Sequence, residues 1–115
     1  MLAIEDNIVF LVSFGQGYLF DINGRKLLHK TDCDYLVNII SGKYKKYFIA
    51  STLTDIIIYK EDEIWSSDRV SSDGINFTKI NNNVLHGEIY DFSNWVPFTL
   101  NLETFEYKCS WEFPF

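Results

Sequence analysis

From Phe105 to Phe113 every second residue is large and apolar (Phe105, Tyr107, Cys109, Trp111, Phe113), and each residue between them is polar or charged (Glu106, Lys108, Ser110, Glu112). A period of two is the signature of a half-buried strand, because successive side chains leave opposite faces of the backbone. The same alternation runs through Phe98, Leu100 and Leu102, with Glu103-Thr104 as the break, so these two runs are expected to pair antiparallel. Residues 75–80 and 84–91 flank Asn81-Asn82-Asn83, and asparagine tolerates the left-handed backbone of a tight hairpin loop. Residues 47–52 and 55–60 read as a further pair, the second holding Ile56-Ile57-Ile58, with residues 63–66 extending the sheet.

The N-terminal part repeats the theme. Residues 8–14 are apolar at odd and even positions alike, which marks a strand buried on both faces. Gly15-Gln16-Gly17 separates it from residues 18–22, Asn23-Gly24 suggests a type I′ turn, and residues 25–30 return as a third strand. Residues 35–41 read as a strand, although Tyr35, Leu36, Ile39 and Ile40 also satisfy helical spacing. No window of 12 or more residues keeps a convincing helical stripe, and no proline- or serine-rich linker divides the 115 residues. The expected fold is therefore one all-β domain over residues 1–115, with little or no helix. Its antiparallel meanders would form two packed sheets or a partial propeller-like arrangement, since a chain this long is too short to close a ring of blades.

Charge sorts the classes of partner. The formal net charge is -6, and residues 58–115 hold ten acids and four bases while residues 1–57 hold six of each. Gripping a phosphate backbone requires a basic footprint, so direct nucleic-acid binding is not expected. Lys43-Tyr44-Lys45-Lys46-Tyr47 interleaves bases and aromatics as single-strand binders do, but five residues beside a turn read as a solvated strand end. No apolar run reaches the roughly 18 residues of a membrane span, and Glu5 and Asp6 stand where a secretion signal carries bases. Cys33 and Cys109, the only cysteines, form no CxxC pair or disulfide framework. A cytoplasmic protein with reduced thiols and no membrane partner is the expectation.

Catalytic machinery is not legible. His29 and His86 lack a local motif, and Cys109 sits on an aromatic strand face where cysteine behaves as a small hydrophobe. His29, Asp32, Cys33 and Asp34 match no metal-binding spacing and read as a polar loop. Gly15-Gln16-Gly17-Tyr18 has Phe20 where a phosphate loop needs its third glycine, and Asn76-Phe77-Thr78 is a glycosylation sequon without a secretion signal. Neither a cofactor nor a metal is expected, and the chain reads as a non-enzyme.

From Trp65 onward the words Trp65-Ser66-Ser67-Asp68-Arg69-Val70-Ser71-Ser72-Asp73-Gly74-Ile75, Gly87-Glu88 and Trp95-Val96-Pro97-Phe98-Thr99-Leu100-Asn101-Leu102-Glu103-Thr104 form a pattern. It resembles small bacterial β-rich immunity proteins of contact-dependent or polymorphic toxin systems. Residues 65–104 carry the likeness, and Phe105 stands where that pattern has a turn glycine. The resemblance implies a protein that binds and neutralises a cognate toxin domain, a nuclease among the candidates, through a non-enzymatic one-to-one complex. Such a partner carries a basic surface, which acids would meet. The expected partner-binding residues are Glu61, Asp62 and Glu63 with Asp68 and Asp73, supported by Trp65 as an exposed aromatic anchor. The alternative is an acidic β-rich scaffold or self-associating interaction domain that uses exposed sheet edges.

Overall fold

The computed structural model describes residues 1–42, 47–60 and 63–114. Among them the chain forms twelve strands and no helix. Tight turns, set by a few residues that accept positive φ, make the strand order strictly sequential. Phe14 and Gly15 (φ 50° and 81°) reverse the chain between β2 (Ile8–Ser13) and β3 (Gln16–Asp21). Asn82 and Asn83 (52° and 62°) do the same between β9 (Ile75–Asn81) and β10 (Val84–Tyr90), as the asparagine run suggests. After β3 the expectation needs correcting: Asn23 and Gly24 do not form a type I′ turn. Arg25 alone takes the left-handed conformation (φ 50°), and Asp21 Oδ1 accepts the Gly24 amide at 3.1 Å, before β4 (Lys26–Lys30) begins.

The first sheet is the meander β1 (Leu2–Glu5), β2, β3, β4. The second is β5 (Asn38–Ser41), β6 (Phe48–Ser51), β7 (Ile56–Tyr59), β8 (Ile64–Ser66). The third is β9, β10, β11 (Trp95–Asn101) and β12 (Tyr107–Cys109). All neighbouring strands run antiparallel. The all-β antiparallel meanders expected from the sequence are present, in three four-stranded sheets, so of the two arrangements expected the two-sheet one is replaced and the partial propeller-like one is the nearer. β1 was not anticipated, and the residue 35–41 segment contributes only the four-residue β5.

Period-two alternation explains how the sheets stack. In the second sheet Phe48, Ala50, Ile57 and Tyr59 point to one side, into a core with Phe10, Val12 and Leu36. Ile49, Ile56 and Ile58 point to the other, into a core with Ile75, Leu85, Ile89, Phe98 and Leu100 of the third sheet. All eight residues of β6 and β7 are buried, so the second sheet is the filling between two outer layers. The first strands of successive sheets lie together, β1 against β5 and β5 against β9, as consecutive propeller blades do. Ser41 Oγ donates to Glu5, and Asn38 Nδ2 donates to the Ile75 carbonyl at 2.6 Å, fastening these three strands.

The residue 8–14 run is corrected in one respect. β2 is apolar on both faces, but only Ile8, Phe10 and Val12 turn toward the core, while Val9 and Leu11 face outward and remain half-buried. In the last strand the alternation continues in burial from Phe105 to Phe113, although only residues 107–109 are strand. Phe105 takes the left-handed conformation (φ 62°) that the resemblance assigns to a glycine, and it spends its side chain on a stack against Trp65.

Candidate functional site

Strand geometry divides the expected acidic surface. β8 runs antiparallel to β7, so Glu63 lies by the end of β7, where the Lys60 amide donates to the Glu63 carbonyl at 2.9 Å. Asp68 lies by the start of β7, next to Ser67, whose amide donates to the Ile56 carbonyl at 2.8 Å. Asp73 precedes Gly74, which donates to the Leu53 carbonyl at 2.8 Å in the β6–β7 connection. Five extended residues from Glu63 to Asp68 span roughly 17 Å, so these acids occupy opposite rims of the second sheet. All three are exposed. Glu61 and Asp62 lie outside the described residues.

Trp65 is not the exposed anchor the sequence suggested. Its ring stacks on Phe105 with centroids 4.9 Å apart and planes 8° from parallel, and it packs against the core between the second and third sheets. Lys60 Nζ covers the other partner, 4.4 Å from the Phe105 centroid. The fully exposed aromatic is instead Phe14, at the β2–β3 turn, with Tyr35, Phe92 and Trp95 also exposed. A bulky residue with positive φ is uncommon, and nothing in the turn covers the Phe14 ring. Its position one residue before a glycine is the only signal the sequence offers.

Glu63 also borders a cleft of about 720 Å3 between the first and second sheets that includes Asn7, Asp21, His29, Tyr59 and Lys60. At one wall Asp21 Oδ1 accepts from Asn7 Nδ2 at 2.8 Å, and the amide of Gly24 together with Asn7 holds the Asp21 carboxyl below the usual range. Across the cleft Lys60 Nζ is 3.7 Å from Glu63 Oε1, a surface pair worth under about 1 kcal/mol. Among the described residues His29 Nε2 is buried without a hydrogen-bond partner, and its ring lies 6.2 Å from that of Tyr59. The cleft offers hydrogen-bonding and charged groups, but among the described residues no nucleophile stands with a base and an orienting group as acyl or phosphoryl transfer requires. Among the described residues no group of three or more His, Cys, Asp or Glu side chains could hold a metal ion. The other histidine, His86, lies with Glu88, Thr99 and Lys108 on the outward side of the third sheet. Cys109 packs against the core beside Phe98, in the hydrophobic role read from its strand position.

Burial of Tyr59 pushes its phenol up to about 12, with Cys33 and Asp32 adding to the rise. A phenol that ionises near pH 10 when unfolded thus stays neutral longer when folded. Its contribution is complete below pH 10 and drains away as pH rises toward 12. Over that window Tyr59→Phe should make the alkaline loss of stability shallower by about 1.4 kcal/mol per pH unit, one phenol's worth. Urea titrations at stepped pH measure it, and an unchanged slope would mean Tyr59 ionises freely in the folded chain. Tyr47 and Tyr107, also raised by burial, keep the remaining slope in the variant.

Among the described residues no helix is long and apolar enough to cross a membrane. No family model, curated protein or solved structure matches the chain.

Proposed function

We propose that this chain is a non-catalytic binding protein of the immunity type, neutralising a cognate toxin domain by occupying its working surface in a one-to-one complex. The observation that carries the reading is the placement of charge. Ten of the sixteen acids fall in residues 58–115, and Glu63, Asp68, Asp73, Glu103, Glu106 and Glu112 are all exposed there. A toxin that acts on nucleic acid presents a basic path for phosphates, and an acidic surface competes for that path while steering the encounter. The Glu63 rim is the favoured contact, because Glu61 and Asp62 adjoin it in sequence. Phe14, fully exposed at its turn, replaces Trp65 as the candidate aromatic anchor. The chain would act in the cytoplasm, where a producing cell needs protection, without a cofactor.

The test is association kinetics with the C-terminal domain of the polypeptide encoded by the preceding gene, the place where a cognate toxin would stand. Raising salt from about 50 to about 500 mM should slow association tenfold or more and change dissociation much less. Reversing Glu63 to Lys, and separately Asp68 and Asp73, identifies the rim in contact by which change slows association. A rate indifferent to salt and to both reversals removes the electrostatic mechanism, and no binding by the folded chain removes the immunity reading itself.

A further inference from the structure

The second and third sheets have the composition their positions require. The second is apolar on both faces and covered on both, and the third is apolar inward but carries His86, Glu88, Thr99 and Lys108 outward. The first sheet breaks this rule. Its inward side chains fill a core, yet the register also places Ile4, Val9, Leu11, Tyr18, Phe20 and Leu27 together on the outward face. Ile4 is 54 % exposed and Leu27 48 %, and the half-buried Tyr18 and Phe20 rings stack side by side with centroids 6.4 Å apart. Lys30, opposite Tyr18 on the edge strand, is at the margin of this face. The first sheet has the pattern of an interior layer on a surface position.

We propose that the outward face of the first sheet is the docking surface for a second copy of this chain, related by a two-fold axis through the face. Three features select that occupant. The face is apolar across all four strands, so a two-fold places aliphatic and aromatic groups on their own kind. Head-to-tail stacking would set it on the polar outward side of the third sheet, which leaves His86, Glu88 and Lys108 desolvated against Leu and Ile. Residues 1–57 are also charge-neutral, so two copies meet here without the repulsion their acidic halves would impose. Four strands about 4.8 Å apart, of four to six residues and so about 13–20 Å long, cover roughly 330 Å2, or about 660 Å2 for the pair before side-chain relief is counted. That is below the roughly 1,200 Å2 of stable specific interfaces and in the range of weak, transient ones, so the closed dimer should form only at high micromolar concentration. The acidic rims belong to the second sheet and its connections to the third, so the dimer leaves them open to a different partner.

Sedimentation velocity of the purified chain alone, from about 1 to 300 μM, tests this. The expected result is a monomer–dimer equilibrium that goes no further. Ile4→Lys and Leu27→Lys each change an already exposed position, so circular dichroism should show a folded chain. Each should raise the dimer dissociation constant about tenfold or more, because the two-fold buries the new charge twice. Thr99→Lys, on the third sheet, should leave it unchanged. A chain that stays monomeric throughout, a dimer indifferent to both lysines, a dimer broken by Thr99→Lys, or growth beyond the dimer would each overturn the proposal. No toxin enters this measurement, so its result stands apart from the immunity reading.

Discussion

Truncating Phe48 to alanine should lower stability by about 4 kcal/mol, and truncating its neighbour Ile49 should cost about 3 kcal/mol, although the two side chains never meet. Phe48 is fully buried on the first-sheet side, 5.5 Å from the Phe10 ring centroid, and Ile49 is fully buried on the third-sheet side. Each change opens a cavity in a different core, yet both cores lean on the same middle sheet. A domain of this size has roughly 5–15 kcal/mol in hand, so the double variant, losing about 7 kcal/mol, should keep only a small part of its stability and unfold at far lower urea than either single variant. Urea unfolding measures the losses. Native-state hydrogen exchange adds the location: Phe48→Ala should speed exchange in the first sheet more than in the third, and Ile49→Ala the reverse. Equal acceleration everywhere would mean the chain opens as one unit, without separable layers.

The second large effect concerns Trp65. Trp65→Ala removes the stack on Phe105 and exposes the core beneath it, and should cost about 3 kcal/mol by urea unfolding. Trp65→Phe should recover more than half of that, since a smaller ring can still lie on Phe105. At a temperature where the alanine variant remains folded, its association rate with the partner should equal that of the parent chain. A variant with parental stability and slowed association would return Trp65 to the role of surface anchor. The distinction is physical: a side chain engaged within its own fold lends its area to stability, and only a free one lends it to a partner.

Much of the strand content was legible because burial on one side imposes alternation. Residues 98–102 and 105–113 show it on either side of the Glu103-Thr104 break, residues 84–90 show it within β10, and the Asn81-Asn83 run announces its own turn. β1 escaped because four residues, Leu2–Glu5, are too few to establish a period. Asn23-Gly24 misled because the positive φ falls on Arg25, a shift of register within the turn that side-chain identity does not report. The number of sheets was hidden for a different reason. The segments between β4 and β5, where residues 35–37 read as the start of a strand, and between β8 and β9 carry no local pattern that says the chain leaves one sheet for another there.

For the site, sequence located the acids but not their separation, since Glu63 and Asp68 look adjacent until β8 is laid along β7. Trp65 was misjudged because its cover, Phe105, comes forty residues later. The two-sided apolar pattern of residues 8–14 was read correctly as chemistry and incorrectly as burial. Its outward half is what the structure leaves open.

The sequential order of the strands has a consequence at the ribosome. Each sheet is a contiguous stretch of chain, so it can pair as soon as its own residues emerge, without waiting for distant partners. The first and second sheets are complete once residue 66 is out, but the Ile49, Ile56 and Ile58 side then waits for β9–β12, which end at Cys109. At about 5–20 residues per second that interval lasts roughly 2–9 s. During it the nascent chain displays a bare isoleucine surface, and this is when it most needs a holding chaperone.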